Sequence, residues 1–298
     1  MGQTIGVLAT RQIAVGVVED NALRGPVRIF PEAGENPEEL RTMTADEMAE
    51  RIGEQVLLAA REGNVGSVGV GFPGVIRNGI VEEAPNLQQM KGSAFEAAIS
   101  GVLAMVGLKV PVLILNDADA VAAGVAATRG HLEKLIRIWY LGDGVGFGRY
   151  PQAEGVWECG HMVVSLDPKE HYCGCGGLGH LEGIVGYRSM RLRFLDMEPE
   201  EVFAAARTGD ARCSSFVKQW HRALAAGSAN SIHLDGPGKF FLTGPNSRFV
   251  DLGLVAQYIH EMVKMTPLQG SLFEVISTSD DLAIIGAAVN ARRAAGAE

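Results

Sequence analysis

Short apolar runs closed by glycine recur along this chain and constrain its fold more than any other feature. The chain has 38 glycines, clustered between such runs, a pattern that predicts an α/β protein with many tight strand-ending turns. The run VPVLILND (110–117) passes directly into the helical pattern ADAVAAGVAAT (118–128). TIGVLATRQIAVGVVED (4–20) holds two apolar runs, Ile5–Ala9 and Ile13–Val18, and reads as a β-hairpin opening a sheet. TADEMAERIGEQVLLAAREG (44–63) reads as a helix, with Thr44 as N-cap, Glu47 three residues on and Gly63 after its end. A buried-type strand in VGSVGVGFPGVI (65–76) and a helix in FEAAISGVLAMVG (95–107) follow.

The second half repeats that order. IRIWYLGDGVGFGRY (136–150) reads as strand, turn and strand, with helical patterns over roughly 182–232. GKFFLTG (238–244) is a strand, LVAQYIHEMVKM (254–265) a helix, and DLAIIGAAVNARRAA (281–295) a closing amphipathic helix. Strands alternating with helices imply a partly parallel sheet covered by helices. We expect two α/β lobes, 1–117 and 118–280, with the helix at about 281–298 packing back on the first lobe.

At 47% apolar residues the chain of 298 can bury a large core. It has no apolar run long enough to span a bilayer and no secretory leader pattern at its start, so a cytoplasmic protein is expected. Four cysteines do not make a secreted disulfide framework. A net charge of −9 with scattered Lys and Arg argues against nucleic-acid partners.

Asn116 and Asp117 stand at the carboxyl end of a strand, where ligands of open α/β sheets bind. A carboxylate there suits a general base toward a hydroxyl; the plain alternative is that Asn116, Asp117 or Asp119 only caps the helix that follows. VGVGFPG (68–74) and LGDGVGFG (141–148) are glycine-rich but are neither P-loops nor dinucleotide fingerprints. Gly144, Gly146 and Gly148 would admit a phosphate to backbone amides, or simply allow a sharp hairpin. The segment 158–182 offers five ligand candidates: His161, His171, Cys173, Cys175 and His180. Four of them could close a zinc tetrahedron. The Cys-x-Cys spacing excludes a Cys-x-x-Cys redox pair, and two thiols in a glycine turn remain the plain alternative.

GVGFPGVIRNGIVEEAPNL (69–87), LNDADAVAAG (115–124), GVWECGHM (155–162) and CGCGGLGHLE (173–182), in that order, resemble the motifs of the ROK family of bacterial sugar kinases and repressors. The resemblance runs from the opening hairpin to the closing helix. It implies a two-lobed, actin-like (ribonuclease H-like) sugar kinase fold with a cleft between lobes, a zinc-binding loop at 158–182, and a homodimer. It implies Asp117 as catalytic base, with Asn86, Asn116, Glu158, His161 and Glu182 holding the sugar hydroxyls. Such side chains suit polyols, offering several donors and acceptors each. The family zinc is bound by one His and three Cys. His161, Cys173 and Cys175 match, and His180 stands where the third Cys would be. That zinc would be structural, its shell being full. Cys213 and Cys159 read as ordinary thiols, with Cys159 a substitute ligand should His180 miss.

The chain departs from the family on the nucleotide side. The family's Asp-x-Gly-Gly-Thr hairpin is here Val7, Ala9, Thr10 and Arg11. Its Gly-Thr-Gly turn is Gly142-Asp143-Gly144, and beside Gly244 a further glycine has become Pro245-Asn246. A carboxylate about 4 Å from a phosphate charge costs roughly 4 kcal/mol at an effective dielectric of ~20. Two expectations follow. One is a working kinase of a hexose or N-acetylhexosamine using Mg-ATP, in which Thr10, Arg11, Asp143, Gly144 and Gly244 serve the nucleotide, Asp143 anchors Mg²⁺ and Arg11 offsets phosphate charge. The other is a sugar-binding pseudokinase acting as sensor or regulator. A repressor is not expected, because the hairpin starts at Ile5 and leaves no room for a helix-turn-helix domain.

Overall fold

The computed structural model describes residues 2–296 except 33–35, 37, 61–63, 133, 153, 154, 156 and 157. Two compact units result: Met1–Ile136 with Gly148–Val156 and Ser279–Glu298, and Arg137–Phe147 with Trp157–Thr278.

The first unit opens with β1 (Gln3–Ala9), β2 (Ile13–Glu19) and β3 (Ala22–Phe30), then α1 (Ala45–Ala60), β4 (Val65–Phe72), the small hairpin β5 (Val75–Arg77) and β6 (Ile80–Glu83), α2 (Phe95–Met105), β7 (Val112–Asn116) and α3 (Asp117–Thr128). The main sheet runs β3-β2-β1-β4-β7, with β4 parallel to both β1 and β7. The expected opening hairpin is present. The expected cap of α1 is also present: Glu47 N donates to Thr44 Oγ1 at 3.3 Å and Thr44 N to Glu47 Oε2 at 2.7 Å. Gly63 lies outside the described residues.

β3 was not among the expected strands, and it contains Gly25 and Pro26. It is an edge strand, pairing with β2 alone, where such residues are tolerated. The turn before it places Asp20 (φ 49°) and Asn21 (φ 59°) in the left-handed region, as a two-residue type I′ hairpin demands.

Ile5, Val7, Val15, Val68 and Val70 bury one face of the sheet with Met48, Ile52 and Val56 of α1 and Phe95, Ile99 and Leu103 of α2. On the other face, Leu8, Ala14 and Leu115 pack with Ala120 of α3 and with the final helix. Burial on both faces explains why these strands are apolar runs without alternation. Residues 118–136, expected in the second lobe, belong to this unit. The cause is packing: α3 lies along the final helix.

In the second unit come β8 (Ile136–Leu141), β9 (Val145–Tyr150), α4 (Glu182–Val185), α5 (Tyr187–Arg193), α6 (Pro199–Arg207), α7 (Ala211–Asp235), β10 (Lys239–Thr243), α8 (Leu252–Met262) and β11 (Leu272–Val275). Its sheet is ordered β11-β10-β8-β9, and the first and last residues of the β8–β9 hairpin count with the first unit. Trp139, Leu141, Phe147, Trp220, Leu224 and Ile232 form its core. Both indoles are satisfied, Trp139 Nε1 by Ser228 Oγ at 2.9 Å and Trp220 Nε1 by Val185 O at 3.2 Å.

The closing helix, α9 (Asp280–Ala294), returns to the first unit. It is not amphipathic as expected: every residue from Ala283 to Ala291 is buried. Small residues make this possible. A Cβ on Gly6 or Gly69 of the sheet would overlap the carbonyl of Ile284 or Ala287, so the α9 backbone rests on the strands. Gly124 and Gly286 play the same part between α3 and α9, against the carbonyls of Leu282 and Ala120.

His221, 1% exposed, ties α7 to the start of α8. Its Nδ1–H donates to Val217 O at 2.7 Å, and Nε2 accepts from Asp251 N at 2.9 Å. Burial pushes this imidazole below its ordinary value of 6.5, outweighing the opposing hydrogen bond to Val217 and the charge of Asp251. The unfolded chain therefore takes up this proton first. Its contribution to stability is full above about pH 6.5 and is lost as pH falls. Urea denaturation at pH 7 and pH 5.5 should show a smaller acid loss in His221→Gln than in the unaltered protein; equal losses would assign the acid sensitivity elsewhere.

Candidate functional site

In the first unit, β7 delivers Asn116 and Asp117 at its carboxyl end. Asn116 is the N-cap of α3, its Oδ1 accepting from Ala118 N at 2.9 Å, while its Nδ2 donates to Gly74 O at 2.9 Å. The cap reading and the site reading therefore coexist, because the cap holds the strand end rigid. Gly74 has φ 123° and lies against Glu83 O, a position no side chain could share. Asp117 is half-buried, with Oδ1 3.0 Å from Ala118 N. Asp119 faces elsewhere, accepting from Arg149 N at 2.8 Å. Asn86 is exposed in the turn after β6. Thr10 and Arg11 form the β1–β2 turn, with Thr10 N bonded to Gln12 O at 3.1 Å and Arg11 exposed.

In the second unit, His161, Cys173, Cys175 and His180 offer ligand atoms all within 4.8 Å of one another. His161 Nδ1 is 3.4 Å from Cys173 Sγ, the two sulfurs are 3.4 Å apart, and Cys175 Sγ is 3.2 Å from His180 Nδ1. Ligand edges of a zinc tetrahedron with two thiolates and two imidazoles are about 3.3–3.8 Å. The three separations lie at or near those edges, so the donor set fits such an ion, with His180 as the fourth candidate ligand. His171 stacks on Tyr172 instead, and Cys159 is buried among apolar side chains; neither belongs to the group. Burial, chiefly, with Cys175 and Glu182 adding to it, pushes the Cys173 thiol up to about 12. A metal would have to displace that proton, because thiolate is the ligand form.

The loop is anchored by residues that sequence reasoning missed. Glu170, 5% exposed, pairs with Arg193 through both carboxylate oxygens and accepts from Gln219 Nε2 at 2.7 Å. The Arg193 guanidinium stacks 4.4 Å from the Tyr172 ring. Val164 N to Gly179 O (2.8 Å) and Leu181 N to Met162 O (2.9 Å) close the loop's ends.

Glu158 Oε2 lies 3.8 Å from His161 Nε2, the nitrogen facing away from the metal group. Val156 and Trp157 of that motif lie outside the described residues. Glu182 joins the metal loop to the glycine turn: Oε1 is 3.5 Å from Cys173 Sγ and Oε2 accepts from Val145 N at 3.0 Å. A Cβ on Gly144 would overlap this carboxylate. Three contacts hold the Gly142-Asp143-Gly144 turn from behind. Gly142 O accepts from Tyr187 N at 3.0 Å and from Asn246 Nδ2 at 2.7 Å, and Asp143 O from Arg188 N at 3.2 Å. Among the described residues the amides of Asp143 and Gly144 have no acceptor. Gly244, at φ 92°, is packed on Leu141 and donates its N–H to Thr278 Oγ1 at 3.0 Å. Asn246, read from sequence only as a lost glycine, is 1% exposed and clamps the turn.

The ROK family model matches residues 29–294. This chain belongs to the ROK family. The match begins beyond the β1–β2 hairpin, the stretch where the family's Asp-x-Gly-Gly-Thr signature is absent. A glucokinase of Pyrobaculum calidifontis is 28% identical over 238 residues, covering 75% of this chain and 76% of its own. The ROK hexokinase of Thermus thermophilus superposes with a TM-score of 0.76 at 21% identity, covering 99% of this chain and all of that one. A ROK family glucokinase of Streptomyces griseus, solved with glucose and AMPPNP, gives 0.67 at 23% identity over 98% of this chain and all of its own. These likenesses establish the actin-like ROK sugar kinase fold. They also extend over the hairpin, so the ROK fold persists there without its signature.

Proposed function

We propose that this chain is an ATP-dependent sugar kinase that phosphorylates a hydroxyl of a hexose or N-acetylhexosamine, with Asp117 as general base. The observation that carries this reading is the place of Asp117: a half-buried carboxylate at the end of β7, braced by the two hydrogen bonds of Asn116, in a ROK chain similar to a glucokinase. Asn86, Asn116, Glu158, His161 and Glu182 take the sugar hydroxyls, as the family resemblance implies. The open amides of Asp143 and Gly144 suit phosphate oxygens, Asp143 would anchor the Mg²⁺ of Mg-ATP, and Thr10, Arg11 and Gly244 complete the nucleotide side. A coupled kinase assay over a panel of hexoses and N-acetylhexosamines is expected to give turnover with at least one sugar. Thermal stabilisation by sugar with no turnover and no response to Mg-ATP would favour the pseudokinase reading instead.

The four-ligand group is proposed to hold a structural zinc through His161, Cys173, Cys175 and His180. When bound, it would stiffen the segment that carries Glu158 and Glu182. Elemental analysis of freshly purified protein should find about one zinc per chain, and His180→Ala should lower that content. Protein without zinc would remove the assignment. No helix among the described residues is long and apolar enough to cross a membrane; we take the kinase to be a cytoplasmic homodimer, which light scattering on a sizing column tests.

A further inference from the structure

The reading as a kinase leaves a charge problem at the phosphate turn. Phosphates resting on the amides of Asp143 and Gly144 would meet the exposed carboxylate of Asp143, with that of Glu182 directly behind Gly144. The family's hydroxyl at this turn brings no such repulsion; a Mg²⁺ held by Asp143 would offset that carboxylate, which leaves the Glu182 carboxylate behind Gly144 to be answered by a second cation close by.

Three arginines lie on α5. Arg191 pairs with Glu198 at 3.1 Å, and Arg193 is committed to Glu170 beneath the metal loop. Arg188 differs from both. It is exposed, and among the described residues its guanidinium has no hydrogen-bond or ion-pair partner. Its backbone is tied to the turn itself through the 3.2 Å bond from Arg188 N to Asp143 O. Its side chain reaches toward the Cys-Gly-Cys segment. Nη1 lies 3.5 Å from the point a Cβ on Gly174 would occupy, and Glu182 Oε1 is 3.8 Å from that same point. The guanidinium therefore stands at Gly174 of the metal loop, on the same side as the Glu182 carboxylate that backs Gly144, while its own backbone is bonded to the turn.

We propose that Arg188 is a phosphate-binding residue, supplying the positive charge for the terminal phosphates of a nucleoside triphosphate held on the Asp143 and Gly144 amides. Its planar fork of donors matches phosphate oxygens, and in phosphoryl transfer such a cation acts where charge collects in the transition state. Arg188 takes over in this chain part of what the lost glycines and hydroxyl do elsewhere in the family. This assignment rests on the kinase reading and deepens it.

The test compares Arg188→Ala and Arg188→Lys with the unaltered protein, by steady-state kinetics and by calorimetric titration with Mg-ATP. Arg188→Ala is expected to lower kcat/KM for Mg-ATP about 100-fold, to weaken Mg-ATP binding at least tenfold, and to leave the KM for sugar within about twofold. The lysine variant should recover part of the loss, which a merely structural role would not produce. Unchanged thermal stabilisation by sugar in Arg188→Ala shows that the fold is intact. If the unaltered protein turns over and Arg188→Ala matches it within twofold, the Arg188 proposal is overturned while the kinase reading stands. If the unaltered protein binds Mg-ATP but phosphorylates no sugar, the kinase reading fails, and Arg188 still stands or falls by the calorimetry. Protein that binds no Mg-ATP overturns both.

Discussion

Asp117→Asn is expected to lower sugar phosphorylation about 10³-fold while sugar affinity changes only a few-fold. The substitution keeps the size of the side chain and an oxygen near Ala118 N but removes the group able to accept a proton from the attacking hydroxyl, a loss typically costing about 10²–10⁴ in rate. The surroundings favour a clean result. Asn116 holds the strand end through Gly74 O and Ala118 N, and neither bond involves the Asp117 carboxylate. The α3 cap should therefore survive, and thermal unfolding should shift little. A coupled assay for turnover and calorimetry for sugar supply the two readouts. A variant retaining a tenth or more of the activity would show that another group takes the proton.

Gly286→Ala is expected to destabilise the protein by at least about 3 kcal/mol, at the upper end of what overpacking a core costs. One methyl is added, but it meets the Ala120 carbonyl and the Gly124 amide, which are main chain and cannot rotate aside. Relief requires α3 and α9 to separate, and α9 is held on its other side by the carbonyls resting over Gly6 and Gly69. Urea denaturation measures the loss, and a sharp fall in soluble yield is the expected companion. Ala287→Gly, which removes a buried methyl without forcing any contact, should cost far less. Equal effects of the two would mean that the close helix approach is not what the glycine protects.

Much of this architecture is legible in the sequence because its signals are local. The Thr44–Glu47 box, the strand run 112–116 and the helix it enters need only neighbouring residues to be read. β3 was missed although Asp20-Asn21 is a recognisable hairpin turn, because Gly25 and Pro26 interrupt the apolar pattern of a strand that lies at a sheet edge. α9 was misread for a different reason. In AIIGAAVNA the small residues blur the apolar stripe, and burial between a sheet and a helix leaves no polar face to mark. The division at residue 117 followed the motif rather than the packing, and it is the α3–α9 contact that carries residues 118–136 into the first unit.

The candidate site divides the same way. The four candidate ligands are close in sequence, so their grouping could be inferred, and the structure gathers His180 with the other three while Cys159 lies in the apolar core. The supports of the site could not be inferred. Glu170 with Gln219, and Gly142 with Asn246, are 49 and 104 residues apart, and nothing in either partner's neighbourhood announces the other. Arg188 looks like any surface arginine until its backbone is seen bonded to Asp143.

The position of α9 also has a consequence for synthesis. Leu8, Ala14 and Leu115 are covered by a helix that is synthesised only after the whole of the second unit. Between completion of Ile136 and delivery of α9, translation at about 5–20 residues per second takes roughly 10–30 s. During that interval the first unit has its main sheet with only α3 on one face, while the second unit is made from start to finish. The order of making and the order of folding are thus inverted: the part begun first is the part finished last. For this chain, a chaperone would be needed most by the nascent N-terminal sheet, and the arrival of α9 is the event that ends that need.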